Sequence, residues 1–309
     1  MGGEIHFESQ LTDLSIVDQK IVSIELNNNE KVKIDRLILA TGHSARDIFE
    51  LLHKRKVKLL SKPFAIGVRI EHTQDFIDQA QYHGRTSDNY LPPAAYKLVT
   101  QANGKGVYSF CMCPGGIIAP CATSKEEVVT NGWSPSKRNN PYANSGIVVS
   151  VEPEDFKNPK DPFCGLDFQK GIERKAWELA GQSQKVPAQR LQDFMQQKKS
   201  SDFPRSSYQP GIESVEMDDL FPDFIIARLR MAFQDFNKKL PGFISQDAVI
   251  HAPESRTSSP ILIPRDKEHY HHIEIKNLYP CAEGAGYAGG IVSAAIDGMN
   301  CVEAINRQS

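Results

Sequence analysis

A glycine-rich turn close to the C-terminus constrains this chain more than any other feature. Residues 283–290 read EGAGYAGG, with four glycines among eight residues, and lie between a short apolar run at Leu278 and Tyr279 and an apolar helical pattern that begins at Ile291. Glycine lets the backbone approach another group closely, because no side chain intervenes. The turn is therefore typical of a helix start that binds a phosphate or a cofactor ring, or of a helix packed tightly on a sheet.

Composition excludes several classes of protein. The 309 residues suffice for one large domain or two ordinary ones, and a formal net charge of -2 gives no basis for binding nucleic acid or an anionic membrane. No apolar run approaches the roughly 20 residues of a membrane-spanning helix, and the start, MGGEIHFESQ, does not read as a signal peptide. Six scattered cysteines form no disulfide framework. We therefore predict a cytoplasmic protein that acts on a small molecule.

The N-terminal segment predicts strands followed by a helix. Alternating apolar residues over 10–34 predict three short antiparallel strands, with a turn at residues 27–30. Residues 37–40 form a continuous apolar run, typical of a strand buried on both faces. Gly42 ends that run, and Ser44 is a candidate N-cap for the helix that follows.

The sequence pattern of residues 62–250 differs from that of the N-terminal segment, because it predicts strands first and helices later. KPFAIGVRIEH and VYSFCMCPGGIIAP predict strands, the second ending in a Pro-Gly-Gly turn, and residues 131–145 predict a loop rich in Asn, Ser and Pro. Three helices are then predicted: one over residues 168–179, one with Pro187 in its first turn, and one over residues 224–236.

Six stretches taken together decide how the glycine turn is interpreted. They read LILATGHSARDIFELL, KPFAIGVRIEH, YSFCMCPGG, VTNGWSPSKRNNPYANS, ESRTSSPILIPRD and YPCAEGAGYAGGIVSAAIDG. With them the chain resembles the C-terminal part of a bacterial family of FAD-dependent dehydrogenases or oxidoreductases of uncharacterised substrate, among the two-domain FAD-binding flavoproteins. The resemblance covers residues 36–298. It implies that the N-terminal strand and G-x-G-x-x-G turn, which hold the ADP half of FAD in that family, are absent from this chain.

The resemblance implies a fold class and a cofactor site. The fold is expected to be α/β, with an incomplete FAD/NAD(P)-binding-like domain at residues 1–61 and 251–309 and an inserted mixed α+β substrate or cap domain at residues 62–250. The residues implied in FAD binding are Thr41, Gly42, His43, Glu283, Gly284, Ala285, Gly286, Tyr287, Ala288 and Gly289.

Two further expectations follow from the resemblance. Residues 36–40 and 278–279 should be neighbouring strands of one sheet, because both lead into turns that the family directs at one cofactor. Ala282 departs from the family, which commonly has glycine at this position, and its methyl group would crowd a backbone that passes a cofactor.

Four residues are candidates for catalysis, and each has a structural alternative. Cys111 and Cys113 share a strand face, which suits disulfide chemistry beside a flavin, although redox pairs favour C-x-x-C spacing and such neighbours bridge with difficulty. His72 is either a proton donor near neutral pH or a structural histidine. Arg256 lies with Glu254 in ESRTSSP, for which the resemblance implies proximity to the flavin.

Other charged residues also leave alternatives open. Arg69 and Glu71 should share a strand face, which favours an ion pair over substrate binding. Arg46 either approaches the pyrophosphate or pairs with an acid. The histidines of residues 269–272 predict a polar loop rather than a metal site.

The resemblance, taken with these features, implies an FAD-dependent oxidoreductase that acts on an organic molecule. The chain alone is expected to bind FAD weakly or not at all, because the amides of the absent turn would have contacted the pyrophosphate. A second chain that supplies the N-terminal dinucleotide-binding unit is then an expected partner. The alternative is a non-catalytic fragment, or one half of a split flavoprotein that acts as a binding or assembly unit.

Overall fold

The computed structural model describes residues 2–27, 29–84 and 90–308. The strands, numbered in chain order, are β1 (Leu11–Val17), β2 (Lys20–Leu26), β3 (Glu30–Lys33), β4 (Leu37–Leu39), β5 (Leu60–Ser61), β6 (Phe64–Thr73), β7 (Val99–Ala102), β8 (Lys105–Cys113), β9 (Ile117–Pro120), β10 (Thr130–Trp133), β11 (Tyr142–Val151), β12 (Val186–Arg190), β13 (Ile212–Ser214), β14 (Val249–Glu254), β15 (Ile261–Leu262) and β16 (Leu278–Pro280). The helices are α1 (Arg46–Lys54), α2 (Gln74–Tyr82), α3 (Cys164–Leu179), α4 (Leu191–Met195), α5 (Met217–Leu220), α6 (Asp223–Lys239), α7 (Ala282–Ala285) and α8 (Ile291–Arg307).

The chain divides into two compact units. The first consists of Met1–Pro63, Glu152–Leu166 and Ser258–Ser309, and the second of Phe64–Val151 and Asp167–Thr257. The assignment of one part to FAD and the other to substrate stays a prediction. Within the described ranges, no helix combines the length and the apolar character that crossing a membrane requires.

The first unit buries its core between a three-stranded meander and α1. β1 pairs with β2 and β2 with β3, all antiparallel, which confirms the predicted meander; Asn28 of the predicted turn lies outside the described residues. The predicted Ser44 cap is wrong. The Arg46 amide bonds to the Ser44 carbonyl at 2.9 Å, and this tight turn delays the helix by one residue, so that Ala45 is the N-cap. The apolar core includes Leu14, Ile21, Leu39, Ile48, Phe49, Leu52, Ile261, Ile263 and Leu278.

β4 and β16 are parallel neighbours although they lie far apart in sequence. Leu37 faces Leu278 and Ile38 faces Tyr279, which confirms the predicted pairing of residues 36–40 with residues 278–279. The expected burial of β4 on both faces is wrong, because the side chain of Ile38 is 39% exposed while Leu39 points into the core. One face of this two-stranded sheet is therefore covered and the other carries an exposed apolar residue.

The second unit contains a large mixed sheet in the order β13-β12-β14-β6-β11-β8-β7. β12 and β13 are parallel, and the other neighbours are antiparallel. The central strands β6 and β11 pair along their full length, and β6 is buried on both faces from Phe64 to His72, as its apolar sequence requires. The predicted strands of this region and the helices α3 and α6 are confirmed.

Two predictions for this region are wrong. Residues 131–145 are not a loop throughout, because β10 and β11 occupy both ends of the segment. The helix predicted after Pro187 is present as α4 and contains Leu191 and Phe194, but Pro187 does not begin it; the proline lies in β12, where it faces Glu213 of β13. The pairing of β12 with β14 starts only at Ala188, so the proline, which has no N–H, lies beyond that ladder.

Arg69 of β6 is fully buried and connects four neighbouring strands. Its Nε donates to Glu254 of β14 at 2.6 Å, and its NH1 donates to Asn144 of β11 at 2.8 Å and to the Cys111 carbonyl of β8 at 3.3 Å. The predicted ion pair with Glu71 is wrong. Residues two apart in a strand stand about 6.6 Å from each other, and the guanidinium reaches a nearer acid across the sheet.

We expect Arg69→Met to lower the free energy of unfolding by about 3–5 kcal/mol, because it leaves Glu254 buried without its cation. Chemical denaturation measures the change. Arg174→Met is the matched control, since the Arg174 side chain is 60% exposed and its ion pairs with Glu126 and Glu178 lie at the surface. The double variant Arg69→Met, Glu254→Met should recover part of the loss; a double variant as unstable as the sum of both single variants would contradict this account.

Candidate functional site

The two glycine turns of the first unit are in direct contact. A Cβ atom at Gly284 would lie 2.4 Å from the Gly42 carbonyl oxygen and 2.7 Å from its carbonyl carbon. No side chain fits there, so glycine at Gly284 is required by packing. Gly42 itself has a φ of +74°, in the left-handed region that favours glycine. The turns after β4 and β16, predicted to face one cofactor, thus lie side by side.

The glycines of the second turn divide into two kinds. Gly286 ends α7 with a φ of +88°, and a Cβ there would lie 3.0 Å from a Leu262 methyl group, so turn geometry and packing both require it. A Cβ at Gly289 or Gly290 would meet nothing within 4 Å in the described parts of the chain. Gly290 is extended, with a φ of 178°, a conformation open to any residue. Among the described glycines of the second turn, an added side chain therefore has free space at Gly289 and Gly290, where the turn leads into α8.

Polar groups connect the two turns. His43 Nδ1 lies 3.1 Å from Glu283 Oε2, so Glu283, one of the residues implied in FAD binding, also contacts the first turn. Thr41, beside His43, is exposed. Of the other implied residues, Ala285 is buried, while Tyr287 and Ala288 are half-buried. The structure thus gathers residues 41–43 and 283–289 in one place; their contact with FAD stays a prediction.

An ion pair that sequence reasoning missed fixes α8 against the turn. Arg265 donates to Asp297 through NH2 at 2.5 Å and NH1 at 2.9 Å, and NH1 also donates to the Pro280 carbonyl at 2.7 Å. The Ala282 amide donates to Asp297 at 2.7 Å. The Arg265 guanidinium lies 3.8 Å from the centre of the Tyr287 ring, a cation–π contact. Burial raises the pKa of Asp297, but the bonds from Arg265 and Ala282 outweigh it and leave that pKa below its ordinary value.

Two thiols accompany this ion pair. Ligand atoms of Cys281, Asp297 and Cys301 lie within 4.8 Å of one another, a grouping that resembles part of a metal centre. Burial raises the pKa of Cys281 to about 12 and also raises that of Cys301, so both thiols are neutral in the folded chain. With Arg265 already paired to the carboxylate, the arrangement fits a structural anchor for α8.

The outer face of α8 is apolar and exposed. The helix turns Asp297, Cys301 and Ala304 inward. The exposed apolar side chains include Ile291 (90% exposed), Val292 (72%), Ile296 (52%), Met299 (64%) and Val302 (47%). A contiguous apolar surface of this kind is typical of an interaction site.

Replacement of Ala282 by glycine tests the departure from the family. Ala282 has a φ of +62°, a left-handed conformation that disfavours any side chain. We expect Ala282→Gly to raise the free energy of unfolding by roughly 0.5–1 kcal/mol, because relief of this strain exceeds the added chain entropy. Thermal unfolding measures it. Ala285→Gly, at a buried helical position, should lower stability instead; if both variants are destabilised alike, the backbone of Ala282 is not strained.

His72 of the second unit is a core residue. Its ring lies 5.3 Å from that of Phe76 and 4.7 Å from that of Phe243, and its Nε2 is 2.8 Å from the Phe243 carbonyl oxygen. Burial lowers its pKa to about 4. This environment favours the structural alternative for His72, and its use as a proton donor near neutral pH stays untested.

Burial of His72 makes stability dependent on pH. The folded chain keeps this histidine neutral down to about pH 4, whereas the unfolded chain protonates it near 6.5, so the unfolded state binds more protons in that interval and stability falls as pH is lowered through it. The loss attributable to His72 is on the order of 3 kcal/mol. We expect His72→Gln to flatten the pH profile measured by urea denaturation, and His269→Gln, at an exposed position, to leave it unchanged. An unaltered slope in His72→Gln would show that the ring is protonated in the folded state.

Arg256 is held by two acids. Its NH2 lies 3.0 Å from Glu173 and 3.0 Å from Glu127, and its NH1 donates to the Thr123 hydroxyl at 2.6 Å. Its neighbour Glu254 pairs instead with Arg69. These contacts give Arg256 a structural role, and its assignment to catalysis stays untested.

Cys111 and Cys113 lie in a bulge, not in a regular strand. The pairing of β8 with β11 shifts register between Asn144 and Gly146, and Cys111 has a φ of +46°. The Cys113 thiol donates to the Cys111 carbonyl at 3.3 Å and lies within hydrogen-bonding reach of the Cys111 thiol. That hydrogen bond lowers the pKa of Cys111 to about 6 although burial opposes it, and the charge of Arg69 lowers it further. The same bond and burial raise the pKa of Cys113. No residue pattern in this stretch indicates the bulge.

Known proteins similar to this chain point to one kind of cofactor. Residues 63–257 match the family described as FAD-dependent protein, C-terminal domain-like. The chain is also 40% identical, over 309 residues, to an uncharacterized protein of Clostridium beijerinckii. That alignment covers 99% of this chain and 57% of the relative, so the chain spans little more than half the length of the protein it matches.

Proposed function

Because the chain belongs to the FAD-dependent protein, C-terminal domain-like family, we propose that it is part of an FAD-dependent oxidoreductase that acts on a small organic molecule. The observation that carries the site assignment is the pair of adjoining glycine turns, of which the second opens towards free space at Gly289 and Gly290. Bound FAD would supply hydride or electron transfer, which protein side chains do not perform alone.

The residues present fit such a cofactor. Gly289 and Gly290 precede α8, whose first amides carry partial positive charge and favour an anionic or electron-rich group. On the adjoining turn, Thr41 offers an exposed hydroxyl and His43 a ring nitrogen beside Glu283. We assign to these groups the binding and orientation of FAD. The hydrogen bond between His43 and Glu283 keeps both turns in register while the cofactor is held.

A dinucleotide-binding unit outside this chain is the partner that we propose. A two-stranded parallel sheet such as β4 with β16 is marginal alone, and parallel sheets are normally covered on both faces. Ile38 and the apolar face of α8 are exposed in this unit. The relative is longer than this chain, which leaves room for such a unit in the same polypeptide. The exposed face of α8 equally supports the second candidate, an assembly subunit without a cofactor of its own.

The experiment that tests FAD binding replaces the open glycines. Gly289→Val and Gly290→Val, in this chain together with the proposed dinucleotide-binding unit, place side chains where space is free, so we expect loss of bound FAD with the melting temperature of the FAD-free protein unchanged. Flavin absorbance after purification measures retention. Gly171→Val is the matched control, because a Cβ at this exposed position of α3 also meets nothing within 4 Å.

The outcomes separate the two candidates. Loss of flavin in the Gly289 and Gly290 variants alone supports the cofactor site. If both variants retain all of their flavin, the free space at Gly289 and Gly290 is not part of the FAD site. Native protein that never carries flavin would favour the assembly subunit.

A further inference from the structure

The two cysteines of the bulge differ in access to solvent. Cys111 is exposed, whereas Cys113 is 5% exposed. A Cβ at Gly132 would lie 2.8 Å from the Cys113 sulfur and 2.0 Å from Arg69 NH1, so the bare backbone of β10 covers both groups. A dissolved reagent therefore meets Cys111 first, and the Cys113 thiol stands behind it.

Arg69 supplies a permanent positive charge beside this pair. Its guanidinium interacts electrostatically with both thiols, and its NH1 donates to the Cys111 carbonyl at 3.3 Å. Its NH2 is buried and finds no hydrogen-bond partner in the described part of the chain. A buried N–H without a partner is unfavourable, and negative charge on a nearby sulfur lowers that penalty. A thiolate in this cysteine pair would therefore be stabilised by the buried Arg69 guanidinium.

We propose that Cys111 and Cys113 form a thiol–disulfide exchange site that reduces low-molecular-mass disulfides, with Cys111 as the attacking and Cys113 as the resolving thiol. The bulge carries this inference, because it turns the Cys113 thiol towards Cys111, whose carbonyl oxygen it reaches at 3.3 Å, whereas same-face residues of a regular strand stand about 6.6 Å apart. The left-handed backbone of Cys111 is the kind of strain that is retained at functional sites. The proposal does not depend on the FAD site.

The exchange balances without an added oxidant or reductant. The Cys111 thiolate attacks one sulfur of the disulfide, the sulfur–sulfur bond breaks, and the first thiol leaves with a proton from water. Cys113 then gives up its proton and attacks the Cys111 sulfur, which forms the Cys111–Cys113 disulfide and releases the second thiol. The small disulfide gains two electrons and the cysteine pair loses two. A dithiol reductant restores the pair for another cycle.

The test uses the reduced chain and glutathione disulfide at pH 6, quenched with acid and examined by intact-mass and peptide mass spectrometry. We expect the wild type to release two equivalents of glutathione and to form the Cys111–Cys113 disulfide. Cys113→Ser should stop with glutathione attached to Cys111, and Cys111→Ser should react at neither position. Cys121→Ser, at a half-buried cysteine, is the matched control and should behave as the wild type.

The rate provides a second readout that needs no variant. With a pKa of about 6, half of Cys111 is ionised at pH 6, so it should react roughly tenfold faster than a cysteine peptide of ordinary pKa, after allowance for the weaker nucleophilicity of a less basic thiolate. A wild-type chain that keeps glutathione on Cys111, reacts no faster than the peptide, or is modified elsewhere first would overturn the proposal. If Cys113→Ser fails to fold, the sites modified in the wild type and in Cys111→Ser still test the proposal. Cys111→Ser should fold, because Cys111 is at the surface.

Discussion

The burial of Arg69 is the constraint on which the large sheet depends. Removing a charge from water is costly, and only several well-placed partners offset it. Arg69 finds them on three other strands, in Glu254, Asn144 and the Cys111 carbonyl, so β14, β6, β11 and β8 are held in one register. A shift of any one strand would remove a partner and leave buried charge. Gly132 follows from the same constraint, since any side chain there would collide with the guanidinium.

Local patterns in the sequence were sufficient for much of the fold. Apolar periodicity identified α3 and α6, and alternation identified the meander. Both depend on residues close in sequence. The pairing of β4 with β16 was expected from the family resemblance and not from a local pattern. The candidate FAD residues lie together because Gly284 fits against Gly42 only without a Cβ, and their contact with FAD stays a prediction.

Features that depend on distant partners were not predictable. Arg69 pairs with Glu254 and not with Glu71, which is nearer in sequence, because the sheet order brings β14 beside β6. Pro187 suits a helix start by local preference, yet the strands on either side of β12 place it in a sheet. The bulge at Cys111 depends on a register shift against β11, to which no single residue type points. The sequence pattern therefore placed the cysteine pair in a regular strand, whereas β8 is bulged at that point.

α8 shows how one contact can determine both faces of a helix. An ordinary surface helix turns its apolar stripe towards the core, but α8 turns Asp297 inward, because the Ala282 amide and Arg265 at the glycine turn require a carboxylate. Rotation about the axis is a single degree of freedom, so this choice also directs the opposite stripe, with Ile291 and Met299, away from the core. Rotating α8 to bury that stripe would leave Arg265 without its acid and open the glycine turn. The Arg265–Asp297 ion pair, which holds α8 against the glycine turn, is thus also the reason that the apolar face of α8 is exposed beside the candidate cofactor site.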